Sequence, residues 1–109
     1  MTLPTPTTRV IEDTDSKLEP PYHLILLDDN DHTYQYVISM LGSVFGYAPE
    51  KGFAIACVVD SEGRAILMTA SLDEVKLKQD QIHGFGADPL MPQSKGSMSA
   101  VIEPATTPA

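Results

Sequence analysis

The sequence predicts one small domain of the α/β (α+β) class, with the order β-α-α-β-α-β and a three-stranded sheet covered by helices. Three observations predict this fold. The 109 residues, 42% of them hydrophobic, are enough for one modest core. Short apolar runs alternate with segments in which apolar residues recur at helical spacing. Glycine, proline and capping residues separate these segments, as they do at the ends of helices.

Two apolar patterns predict the first strand and the first helix. Tyr22–Leu27 becomes nearly continuously apolar toward its end, which is typical of a buried strand. From Thr33 to Phe45, apolar residues recur every three or four positions and so fall on one stripe of a helix. Gly46 follows, and glycine is the residue at which many helices end.

The second helix is predicted to begin at Pro49, because the first turn of a helix accepts proline. The almost wholly apolar run Phe53–Val59 predicts that this helix is largely buried. Ser61-Glu62-Gly63 is predicted to form a turn, and Arg64–Thr69 is predicted to form the second strand.

A capping motif and a proline predict the last helix and the last strand. Ser71 and Glu74 stand three residues apart, as in a capping box, and open a helix that ends near His83. A proline-containing loop leads to the strand Met98–Glu103, which Pro104 closes. With two helices between the first two strands, the sheet is expected to carry its helices on one side.

The core is predicted to span residues 21–105. Residues 1–20 are predicted to be a disordered N-terminal extension, because they contain few large apolar side chains to bury. Residues 106–109 are predicted to be a flexible tail. No apolar run approaches the roughly 20 residues of a membrane span. The N-terminus has no basic segment followed by an apolar one, so a secretory signal is not expected. With Cys57 as the single cysteine, a cytoplasmic location is expected.

Charge is concentrated in one informative place. The formal net charge of −8 argues against nucleic acid and favours cationic ligands or basic partners. The first strand is followed directly by four acid or amide residues, Asp28–Asp31, which we call the acidic corner. Its oxygen atoms suit an ammonium group or a hard metal ion, although such residues also serve as turn and cap residues. An EF-hand is excluded, because Thr33 and Ser39 stand where that loop needs Gly and Glu.

One known family carries counterparts, in the same order, of the run Leu26–Thr33, Val37, the turn Val59–Arg64, a lysine-containing third helix and the end Ala100–Ala105. As a set, these segments resemble the ClpS family. ClpS proteins are adaptors that bring substrates to the bacterial Clp ATPase–protease. The resemblance covers roughly residues 21 to 105.

The resemblance implies a binding protein that is not an enzyme and needs no cofactor or metal. Its ligand would be an N-degron, the first residue of a substrate chain with a bulky apolar side chain and a free α-amino group. Asp28, Asn30 and Asp60 fall on the positions that hold the α-amino group. The residues that fall on the side-chain pocket are Val37, Ala56, Val59 and Met98, with His32 and Tyr34 at its rim.

The resemblance also implies a partner for delivery. Asp73 and Lys78, on the third helix, fall where family members touch the unfoldase, through the N-terminal domain of the Clp AAA+ ATPase. N-degron peptides and proteins would be the other partners. The protein would act as a monomer, without nucleic acid and without a membrane.

The sequence departs from the common family pattern at several of these positions. Asp28-Asp29-Asn30 replaces Asn-Asp-Asp, and Asp60 replaces a histidine. Thr and Met commonly stand at His32 and Tyr34, and Met at Ala56. Asp60 adds a negative charge, which should hold an ammonium at least as well. The bulky Tyr34 and the small Ala56 change the pocket in opposing directions, so the preferred side chain stays open.

Two other functions remain alternatives on the sequence alone. One is a small metal-dependent or acid–base enzyme that uses Asp28, Asp29, Asp31, His32 and Asp60. The other is an interaction domain whose acidic surface docks on a basic partner. A requirement for a free amine would separate the adaptor from the enzyme.

Overall fold

The computed structural model describes residues 20–105 and confirms the predicted fold class and order of elements. Its strands are β1 (Tyr22–Leu27), β2 (Arg64–Ala70) and β3 (Ala100–Pro104), and its helices are α1 (Tyr34–Phe45), α2 (Pro49–Glu62) and α3 (Leu72–His83). The predicted disordered extension, apart from residue 20, and the predicted tail lie outside the described residues.

The central strand of the sheet is β1, in the order β2-β1-β3, and it runs antiparallel to both neighbours. Leu27 pairs with Arg64, the first residue of β2, and Leu26 pairs with Ala100, the first residue of β3. The C-terminal end of β1 therefore lies beside the first residues of both β2 and β3. The acidic corner starts at this end of the sheet.

The helices cover one face of the sheet and enclose the core. Leu24 and Leu26 of β1 are fully buried, as are Val75 and Ile82 of α3. The remaining core side chains are Tyr36, Val37, Met40, Leu41, Val44, Ala56, Val59, Ala65, Leu67, Met98 and Ala100. Fully burying one such aliphatic side chain contributes roughly 1.5–3 kcal/mol. This core fixes α1 and α2 relative to the end of β1.

Both ends of α1 form as the sequence predicts, with a shift of one residue. Thr33 is the N-cap, not the first helical residue, and its hydroxyl accepts a hydrogen bond from the Tyr36 N–H at 3.1 Å. Gly46 ends the helix with a φ of 74°, in the left-handed region that glycine adopts without strain.

The prediction that α2 is largely buried is wrong. Phe53 is 51% exposed and Val58 is also exposed, while Gly52, Ala56 and Val59 are the buried residues of this helix. These three recur at helical spacing, so only one stripe of α2 faces the core. Because nearly every residue of Phe53–Val59 is apolar, the sequence alone does not distinguish the buried positions of α2 from the exposed ones. Close packing occurs at Gly52, where an added Cβ would lie 3.2 Å from the Ile38 Cα of α1.

Two predicted element boundaries also need correction. Ser61 and Glu62 belong to the last turn of α2, and only Gly63 leaves the helix, with a φ of 87°. Met98 precedes β3, which begins at Ala100. The side chain of Met98 is buried in the core although the residue lies outside the strand, which explains why the sequence pattern predicts it as part of β3.

Candidate functional site

The acidic corner is attached to the structure through its backbone. The Asp28 N–H donates to the Gly63 carbonyl at 3.0 Å, and the Leu27 N–H donates to the Ser99 carbonyl at 3.0 Å. Gly63 directly follows the last turn of α2, and that turn carries Asp60. These contacts bring the acidic corner, the C-terminal end of α2 and the segment before β3 to one end of the molecule.

The three predicted amine-binding residues present their side chains at this end. Asp28, Asn30 and Asp60 are all exposed. Among residues 20–105, Asp60 is the only one of the three whose side chain has a hydrogen-bond partner, the Tyr34 hydroxyl. The other carboxylate and amide oxygens remain available as acceptors, which is the hydrogen-bonding chemistry that a primary ammonium requires.

Tyr34 bridges the two helices at the same end. Its hydroxyl, in the first turn of α1, donates to Asp60 Oδ2 at 2.7 Å, and its ring packs edge-on against Phe53 with centroids 5.7 Å apart. The hydrogen bond to Asp60, followed by burial, raises the pKa of Tyr34 from 10.0 to about 12. The carboxylate has this effect because it stabilises the protonated phenol.

The four apolar residues predicted to line the side-chain pocket come together in the core. Val37 lies on α1, Ala56 and Val59 lie on α2, and Met98 lies in the segment before β3. Each is only 2–4% exposed. Three parts of the chain thus contribute to one group of buried side chains, which we call the apolar layer. In this structure the layer is shielded from solvent. A large apolar side chain could reach this layer only after the side chains that cover it had moved.

His32, predicted at the rim of the pocket, contacts Asp29 and the loop before β3. Its side chain is 4% exposed, with Nδ1 at 2.9 and 3.0 Å from the two Asp29 carboxylate oxygens and Nε2 at 2.7 Å from the Gly96 carbonyl oxygen. Nε2 also lies 3.3 Å from the Ser94 hydroxyl, so both ring nitrogens are in hydrogen-bonding contact with the residues around them. His32 therefore fastens the acidic corner to the loop before β3.

The acidic corner is also folded as a tight turn of its own. Asp29 Oδ1 accepts a hydrogen bond from the Asp31 N–H at 2.9 Å, which is the local turn that short acidic side chains favour. Asp29 therefore has a structural role, with His32 and the Asp31 backbone as its partners. Within residues 20–105, no three His, Cys, Asp or Glu side chains are grouped to hold a metal ion.

The sequence analysis missed Asp88, which lies in the loop between α3 and β3. Asp88 is 2% exposed and is the only buried charged residue in the described part of the chain. Its Oδ2 accepts from the Thr33 N–H at 2.6 Å and from the Thr33 hydroxyl at 2.9 Å, and its Oδ1 accepts from the Leu90 N–H at 2.8 Å. Asp88 thereby holds the N-cap of α1, the helix that presents Tyr34 and Val37.

The charge state of Asp88 follows from these contacts. Burial acts to raise the pKa of its carboxyl, but the hydrogen bonds from Thr33 and Leu90 outweigh burial and lower the pKa below 3.8. Asp88 precedes Pro89, and an aspartate in this position is typical of an ordinary turn. No local pattern links it to Thr33, which lies 55 positions earlier.

The two predicted unfoldase contacts occupy different environments on α3. Asp73 is exposed in the first turn. Lys78 is partly buried, and its Nζ donates to the Val44 carbonyl at 2.7 Å. Lys78 therefore caps the C-terminal end of α1, where a cation is favoured by the helix dipole. Of the two residues, Asp73 is the one whose charge faces solvent freely.

Comparison with known proteins identifies the family. The family model described as "ATP-dependent Clp protease adaptor protein ClpS" matches residues 17–92, which is well over half of the chain. The chain belongs to the ClpS family. Every predicted site residue except Met98 lies within the match. ClpS-family proteins are adaptors, so membership places this chain among binding proteins and gives no support to the enzyme alternative.

Individual ClpS proteins show the same relationship. The ClpS adapter of Neisseria meningitidis is 33% identical over 71 residues, covering 63% of this chain and 69% of its own length. That of Rhodococcus jostii is 27% identical over 82 residues, covering 75% and 73%. The structure of Agrobacterium tumefaciens ClpS2 bound to L-phenylalaninamide superposes with a TM-score of 0.68 at 20% identity, over 79% of this chain and 98% of that one. The chain therefore has the ClpS fold.

Proposed function

We propose that this ClpS-family adaptor binds substrates through a free N-terminal residue with a bulky apolar side chain, and delivers them to a Clp AAA+ ATPase. The observation that carries the proposal is the position of Asp28, Asn30 and Asp60. Their exposed side chains lie at one end of α1 and α2, next to a layer of buried apolar residues. The Agrobacterium ClpS2 of the same fold binds L-phenylalaninamide, which combines a free α-amino group with an aromatic side chain.

The ammonium group would be held by charge and by hydrogen bonds together. It has three donors, and the two carboxylates and the Asn30 amide oxygen supply acceptors for all of them. Hydrogen bonds between an ammonium and a carboxylate are about twice as strong as those between neutral groups. The net charge of −8 would further favour a cationic ligand.

The side chain of the first residue would enter between α1 and α2. Val37, Ala56, Val59 and Met98 offer it a wholly apolar lining. Met98 is unbranched and flexible, and can adjust to ligands of different shape. Burying a Leu or Phe side chain there would contribute roughly 1.5–3 kcal/mol before the cost of opening the layer.

A second proposal concerns the partner for delivery and the exposed residues of α3. We assign Asp73 and Lys78 of α3 to the contact with the N-terminal domain of the Clp ATPase, with Asp73 as the residue whose charge is exposed. We further propose that the protein works as a monomer in the cytoplasm, where the free Cys57 would stay reduced, and that it binds no nucleic acid. No helix within residues 20–105 is long and apolar enough to cross a membrane.

Delivery can be tested by degradation of a reporter in a reconstituted system with the cognate Clp ATPase and peptidase. The adaptor should accelerate degradation of a reporter that begins with Phe, but not of one that begins with Gly. Asp73→Lys should lower this acceleration while peptide affinity stays unchanged, because Asp73 lies on α3, away from the amine site. Its cost in stability should be about 0.3–1 kcal/mol, from reversing a charge in the first turn of a helix.

Lys76→Glu is the matched control, because Lys76 is exposed on the same helix but is not a predicted contact. Lys78 is unsuitable for charge reversal, since a carboxylate there would face the Val44 carbonyl. Equal degradation of both reporters with and without the adaptor would contradict the proposed delivery.

A further inference from the structure

Two residues that depart from the common ClpS pattern touch each other. Tyr34 stands where Met is common and Asp60 where histidine is usual, and the Tyr34 hydroxyl donates to Asp60 Oδ2 at 2.7 Å. The two lie 26 positions apart, on different helices. The tyrosine therefore occupies an acceptor oxygen that the proposed function assigns to the ligand.

We propose that Tyr34 is a latch that holds the binding site closed, and that the ammonium group of an incoming peptide opens it by displacing the Tyr34 hydroxyl from Asp60. The latch rests on the proposed function, since it regulates access to that same site. It also makes Tyr34 a residue that determines specificity, because a ligand with a free amine replaces the neutral hydroxyl on Asp60 by a charged donor.

The ring of Tyr34 is held from the side of α2 by a continuous stripe. Phe53, Cys57 and Asp60 recur four and then three residues apart, so they lie on one face of the helix. Phe53 packs edge-on against the Tyr34 ring, and Asp60 binds its hydroxyl. The bulky phenol thus spans the gap between α1 and α2, with one contact for the ring and one for the hydroxyl.

The latch adjoins the apolar layer along both helices. Val37 lies three residues after Tyr34 on α1, and Ala56 lies four residues before Asp60 on α2, so each is a neighbour on the same helix face. Both are buried, as are Val59 and Met98. The closed phenol therefore adjoins the covered lining, and its displacement would be the first step in admitting the side chain of the ligand.

The chemistry of the exchange favours the ligand. Asp60 accepts a neutral phenol hydrogen bond in the closed state, and would accept a charge-assisted bond from an ammonium in the open state. The pKa of Tyr34, raised to about 12, leaves the phenol protonated and able to donate to Asp60 throughout the neutral range. A peptide with a blocked N-terminus brings no charge to replace the hydroxyl, and therefore meets a closed site.

Removal of the hydroxyl alone tests the latch. Tyr34→Phe keeps the ring but cannot hold Asp60, so its affinity for a Phe-starting peptide should rise roughly two- to tenfold, the worth of one net hydrogen bond. Tyr47→Phe is the matched control, because the Tyr47 hydroxyl donates to the Leu67 carbonyl at 2.7 Å, far from Asp60 in the sequence. This control should bind the peptide as the unmodified protein does.

The movement of Tyr34 can be followed separately by NMR with tyrosine labelled at Cζ, using Tyr34→Phe to assign the signal. Peptide should shift the Tyr34 signal, and an unshifted signal in the bound protein would overturn the latch. Binding by the unmodified protein with equal or weaker binding by Tyr34→Phe would overturn the latch alone. Absence of binding in both proteins would overturn the proposed function together with the latch.

Discussion

Asp88→Ala is expected to destabilise the protein by about 2–4 kcal/mol, because it leaves partly buried donors of Thr33 and Leu90 without their acceptor and empties a buried position. That is a large share of the roughly 5–15 kcal/mol that stabilises a typical domain. For a domain of this size, Tm should fall by roughly 4–8 °C for each kcal/mol lost. Urea or thermal unfolding measures the effect directly.

Asp80→Ala provides the comparison, because Asp80 is exposed on α3 and its removal should change stability by less than about 0.5 kcal/mol. The effect of Asp88 should also weaken in acid. Since folding lowers its pKa below 3.8, its contribution is complete above that value and is lost as the pH falls through the folded-state pKa. An Asp88→Ala variant as stable as the unmodified protein at pH 7 would show that Asp88 does not hold α1.

The second large effect is expected on binding. Asp28→Ala combined with Asp60→Ala should lower the affinity for a Phe-starting peptide at least about 100-fold, because hydrogen bonds to charged groups contribute roughly 1.5–3 kcal/mol each. The fold should survive, since both side chains are exposed and Asp28 is anchored through its backbone N–H. Isothermal titration calorimetry gives the affinity, and circular dichroism checks the fold.

The control for this pair removes two carboxylates elsewhere, with Asp73→Ala and Asp80→Ala on α3, and should leave peptide affinity nearly unchanged. Asp28→Ala alone isolates the amine contact, because Asp60→Ala also releases Tyr34. A double variant that binds like the unmodified protein, or that unfolds, would show that these two acids were wrongly assigned.

Local sequence patterns were enough to predict the fold class and the order of the elements, but not the order of the strands in the sheet. The apolar run Tyr22–Leu27 and the acidic stop after it gave the bounds of β1, and Gly46 marked the end of α1. The same patterns failed for α2, because an apolar run cannot show that only one stripe of the helix packs against the core. They failed for Met98 because burial in a loop and burial in a strand select the same residue types.

The site could be predicted only in part, for a related reason. The acidic corner is continuous in sequence and could be recognised from its residues. The other candidate site positions, such as Asp60, came from the resemblance to ClpS. The contacts that organise it link residues far apart, such as His32 with Gly96 and Thr33 with Asp88. Side-chain hydrogen bonds of this kind leave no periodic signal, so one sequence does not reveal them. The bond between Tyr34 and Asp60 is of the same kind.

The central claim is that the adaptor recognises a free α-amino group. The most direct test is a calorimetric titration with two peptides that begin with Phe and differ only in N-acetylation. The free peptide should bind, and the acetylated one should not bind measurably. Acetylation removes the charge and two donors, and leaves desolvated acceptors unpaired at a cost of about 1–3 kcal/mol or more. Equal affinity for the two peptides would contradict the account.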